Sequence, residues 1–121
     1  MAVPQNVRRV KCYSGAGGIV YNYFIREVRK GRRGFHAGTE YIYIVAADRG
    51  DAFPLCVFVR KDATRKWSRR NGRELSSTEE YAAAKMRLFQ AFDGEEPLGP
   101  GANTLIVDDS NLDALLSQLG I

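Results

Sequence analysis

Cysteine is scarce in this chain: only Cys12 and Cys56 occur among 121 residues. Small extracellular domains staple themselves with more bridges, at framework-like spacing. Two cysteines inside apolar runs therefore read as buried, reduced thiols. Histidine is scarcer still. His36 stands alone, with no Ser-His-Asp or Cys-His spacing around it, and one His with two strand cysteines is a poor zinc ligand set. Long apolar runs are also missing. A membrane helix needs ~18 apolar residues, and the longest run here, Tyr41 to Ala47, has seven. Met1 to Val7 contains no apolar targeting core and leads directly into Arg8 and Arg9. These absences set the expectations of a cytoplasmic location, no membrane, no metal, no cofactor and no catalytic residues.

What is present is an ordinary globular mixture, 45% apolar and 26% charged, at a length that suits a single domain over residues 1–121. Charge is distributed unevenly. Met1 to Arg73 carries sixteen Lys/Arg against five Asp/Glu, whereas Glu74 to Ile121 carries two against nine. An imbalance of this kind implies either an anionic partner for the first part or mutual attraction between the two parts.

Periodicity divides the chain. Val7–Tyr13, Ile19–Val28, Glu40–Ala47 and Phe53–Arg60 alternate or run apolar as strands do, separated by turn-forming residues at Ser14–Gly18 and Asp48–Asp51. Arg29–Gly38 and Asp62–Arg73 read as basic loops. Ser77 with Glu80 fits a capping box opening a helix over Thr78–Phe92, which Asp93-Gly94 ends. After a Pro/Gly-containing loop, Glu95–Asn103, come a short strand, Thr104–Val107, and a short helix capped by Asp109 or Ser110 with Leu112, Leu115, Leu116 and Leu119 on its apolar face. The expected class is α+β: an antiparallel meander of four to five strands, with one main helix on a face and a short C-terminal helix.

Connections in a meander alternate between its two ends. One end should then gather Arg8, Arg9 and Lys11 with the cations of the two basic loops and the fourth strand's end, fourteen of the eighteen Lys/Arg. From this pole the expected nucleic-acid-binding set is Arg32, Arg33, Arg65, Lys66, Trp67, Arg69, Arg70 and Arg73. Arginine forks match phosphate oxygens, and Trp67, with Phe35 and His36 in the other loop, offers rings for stacking on bases. The competing structural reading puts Trp67 in the core and pairs the arginines internally with Glu74, Glu79 and Glu80. No RNA-recognition, KH, zinc-finger or helix-turn-helix signature accompanies the charge.

Tyr21, Tyr23, Tyr41 and Tyr43 share faces of neighbouring strands and form a candidate ligand or interface surface. With the main helix on the opposite face, a second subunit would cover them, which makes a homo-oligomer the alternative function. A small-ligand pocket between sheet and helix is the third. Gly15-Ala16-Gly17-Gly18 fails both the dinucleotide and the P-loop patterns and reads as a turn. Arg49-Gly50-Asp51 is likewise explained by turn chemistry. The leading expectation is a non-catalytic module that binds a phosphate-bearing polyanion.

Overall fold

The computed structural model describes residues 9–94, 98–101 and 104–121. Val7 and Arg8, and parts of the loop Glu95–Asn103, fall outside them. Five strands form one sheet in the order β1-β2-β3-β4-β5: Lys11–Ser14, Val20–Arg33, His36–Ala47, Phe53–Arg60 and Leu105–Val107. The first three pairings are antiparallel and β4–β5 is parallel. Three helices accompany the sheet: α1 (Lys61–Asn71), α2 (Ser77–Phe92) and α3 (Leu112–Gln118). The α+β class is as expected, but the sheet is mixed and no simple meander. A parallel neighbour needs a crossover, and α1 and α2 supply it. Among the described residues, no helix is long and apolar enough to cross a membrane.

The first basic loop is in fact strand. β2 and β3 pair without interruption from Arg29↔Glu40 to Arg33↔His36, closed by Gly34-Phe35. Gly34 has φ 60°, a value that two-residue hairpin turns demand at their first turn position. This arm has no alternating apolar residues, so periodicity cannot reveal it. Its glycines serve packing. A Cβ on Gly31 would meet the Glu40 side chain at 2.5 Å, and one on Gly38 would meet the Phe58 ring at 2.7 Å. The pairing shifts between Ile25 and Glu27, leaving Arg26 as a bulge residue.

The second basic loop is a helix. Ala63 and Trp67, spaced i,i+4, are its buried residues, and Gly72 at φ 69° ends it in a left-handed cap. Only two apolar residues mark this helix, which hid it among cations. In α2 the capping box is real but begins one residue earlier. The Ser76 hydroxyl accepts from the Glu79 amide at 3.1 Å, and the Glu79 carboxylate accepts from the Ser76 amide at 2.9 Å.

Helix α2 covers the tyrosine face, not the opposite one. Ala83 and Ala84 let it approach the sheet closely, and large rings fill the space below. Phe92 stacks on Tyr21 with centroids 4.2 Å apart, and Phe89 stacks on Tyr13 at 4.3 Å. Such pairs contribute about 0.5–1.5 kcal/mol beyond area burial. Leu112, Leu115 and Leu116 of α3 complete the same core.

Candidate functional site

The hairpin tip and the start of α1 lie at one end of the sheet, because Gly38 pairs with Arg60, the last residue before the helix. Of the third expected segment, Arg8 lies outside the described residues and Lys11 does not join them. Lys11 pairs with Tyr23, ten residues along β2 from the tip at Arg33. Lys11 instead faces Lys85 of α2, whose ammonium lies 5.9 Å from the centres of the Tyr23 and Phe89 rings. Burial, then Lys11, pulls the Lys85 amine down to about 8.

Between the hairpin arm and α1 opens a cleft of about 840 Å³. Lys30 lines it from the arm, and Lys61, Arg65 and Arg69 line it from the helix. The three helical cations recur every fourth residue and so share one face, rising ~6 Å per step. Among the described residues, none of the four has a carboxylate within ion-pair distance. Arg32 sits opposite Ala37, a cleft-lining residue, and donates to the Phe35 carbonyl at 3.3 Å. At the tip, Phe35 is 96% exposed. Glu74 and Glu80 also line the cleft, and Glu80 accepts a hydrogen bond from the Tyr41 hydroxyl at 2.8 Å.

The other expected phosphate contacts are occupied within the protein. Arg33 pairs with Glu40 at 3.1 Å, and Arg29 with the same carboxylate at 2.8 Å. Glu40 is buried, and two guanidinium groups compensate its charge. Lys66 meets Asp109 at 3.1 Å and Arg70 meets Asp113 at 3.0 Å, both acids belonging to the segment that opens α3. Arg73 grips Glu79 with two 2.8 Å bonds and lies 5.0 Å from the centre of the Trp67 ring. That fork, with the backbone amide of Ser76, holds the Glu79 carboxyl down to about 2. Arg60 likewise holds Asp62 below its ordinary value. His36 approaches Asp62 at 3.8 Å.

Trp67 is 5% exposed, so its ring seals the core beneath α1 and is not presented to a base. Tyr21, Tyr23, Tyr41 and Tyr43 are all buried beneath α2, which removes them as a surface for a second subunit. Tyr21 accepts from the Leu98 amide at 3.3 Å. Tyr43 keeps a buried hydroxyl with no partner among the described residues. Burial raises the Tyr41 and Tyr43 hydroxyls far above the ordinary phenol value, so both stay protonated. The glycine-rich turn cradles an internal anion: Ala16 donates its amide to Asp93 at 2.9 Å, and the Tyr13 hydroxyl donates to the same carboxylate at 2.9 Å.

Of the expected cationic site, Arg65 and Arg69 line the cleft and Arg32 borders it. Lys30, Lys61 and Glu80 also line it, although composition and loop assignment did not single them out. The four-residue spacing of Lys61, Arg65 and Arg69 was the available signal. No family model matches this chain, and neither the curated proteins nor the solved structures yield a match.

Proposed function

We propose that this protein binds a phosphate-bearing polyanion, a single-stranded nucleic acid, along the cleft between the hairpin arm and α1. The observation that carries this reading is the row Lys61, Arg65 and Arg69 facing Lys30 across the cleft with no carboxylate partners among the described residues. Four cations converging on one concavity repel one another and focus a field that draws phosphates. The regular step of the row suits successive phosphates of one strand.

Cations on both walls of the cleft can contact the phosphates of one strand from two sides. Exposed Phe35 adds a π-face beyond one end of the cleft, where an unpaired base can stack. Trp67 has no part in stacking. Arg33, Lys66, Arg70 and Arg73 act within the fold.

Anisotropy titrations of labelled single strands over a salt series test this. The triple variant Lys61→Ala/Arg65→Ala/Arg69→Ala should lose about a hundredfold in affinity at low salt, and its salt slope should flatten by roughly 2, since each single-strand phosphate contact contributes about 0.7. A triple variant with unaltered slope rejects the cleft as the phosphate site.

A further inference from the structure

We propose that Glu80 reads base identity in the cleft and selects guanine, an inference that rests on the nucleic-acid reading above. Glu80 is one of two carboxylates, with Glu74, in a cleft otherwise lined by the cations Lys30, Lys61, Arg65 and Arg69. It opposes phosphate binding, and none of those cations neutralises it within ion-pair distance among the described residues. Its one side-chain partner there is neutral: the buried Tyr41 hydroxyl, which donates to Oε1 at 2.8 Å. Glu80 stands in the first turn of α2, where an acid suits the helix dipole, but the capping box itself is closed by Glu79.

The Tyr41 bond fixes the carboxylate's direction while using one of about four lone-pair sites. Oε2 has no hydrogen-bond donor among the described residues. What Glu80 offers an incoming base is therefore a fixed, acceptor-only fork. Guanine alone among the common bases presents two adjacent donors on its pairing edge, N1–H and the N2 amino group. Adenine and cytosine each place a ring-nitrogen acceptor beside their amino group. Uracil and thymine flank N3–H with two carbonyl oxygens. A fixed carboxylate fork is complementary to the first and meets a repelling acceptor in each of the others. The cations hold phosphates of any sequence, and Glu80 adds discrimination.

The test compares labelled single strands that differ only in a central guanine, inosine or uracil, bound to the wild-type protein and to Glu80→Gln. Wild type should prefer guanine over uracil by about tenfold, the scale of one good two-bond contact, with inosine between them. Glu80→Gln should erase that preference while binding uracil strands as well as wild type or better, because a negative charge has gone. Equal factors on guanine and uracil strands would show that Glu80 acts only through its charge and would overturn the assignment. Should Glu80→Gln fail to fold, Tyr41→Phe keeps the carboxylate but frees its orientation, and an undiminished guanine preference in that variant also overturns it. Wild-type binding without base preference defeats this inference alone, whereas no binding of any strand defeats the nucleic-acid reading beneath it. Free GMP displacing a strand at equal concentration supports the guanine contact but removes the strand as its source.

Discussion

Helix α1 carries two rows of cations that differ in position by one residue and in fate completely. Lys66 and Arg70 face the start of α3 and are matched one for one by Asp109 and Asp113. Lys61, Arg65 and Arg69 face the cleft, and although Glu74 and Glu80 line it too, none of the three cations has an ion-pair partner among the described residues. A third side, Ala63 and Trp67, is buried. The excess positive charge of the first 73 residues is therefore not one property. Part of it is matched by acids of the C-terminal segment, and part has no ion-pair partner among the described residues. Net charge alone cannot separate the two, but helical phase does.

The severest way to break the contrast is to remove what orients both rows. Trp67→Ala should cost about 3–5 kcal/mol of stability, as deletion of a buried aromatic does, read as a lower urea midpoint. A base-stacking Trp67 would instead leave stability unaltered.

Acid comes next. Glu79 has a carboxyl near 2 in the fold against an ordinary 4.5, so the unfolded chain takes up the proton first as pH falls. The stabilisation from the Arg73–Glu79 fork is fully present above about pH 4.5 and disappears as pH falls through about 2. Unfolding midpoints followed over that interval should decline, and Arg73→Met should flatten the decline.

The smallest effect belongs to Lys66→Ala/Arg70→Ala. Both ion pairs are half exposed and strongly screened, so stability should change by less than about 1 kcal/mol. Strand affinity should fall less than about threefold, against about a hundredfold for the open row. Equal losses from the two rows in the same titration would dissolve the distinction between them.

The sequence disclosed the elements whose signals were redundant. β3 and β4 are apolar over most of their length, α2 has a stripe and a capping box, and α3 repeats leucine at helical spacing. It concealed the parts whose stability comes from tertiary partners. The arm beyond Val28 is held by its pairing with β3 and by Arg29–Glu40, neither visible as periodicity. Helix α1 declares itself by two apolar residues, and tertiary packing of Trp67 overrides its loop-like composition. The parallel pairing of β5 depends on a crossover that strand order alone did not require. The site shared this limit. That the hairpin arm and the start of α1 share one end of the sheet was legible from topology, although Lys11 does not join them, and which cations meet a carboxylate depended on a helix read as a loop.

The pairs Lys66–Asp109 and Arg70–Asp113 each span 43 positions of the chain. During translation, α1 therefore leaves the ribosome with both of its cationic rows bare, and the acids that quench one of them emerge only later. Until then the nascent chain carries the cations of α1 without the acids that pair with Lys66 and Arg70, and the difference between the two rows arises only when the last helix docks.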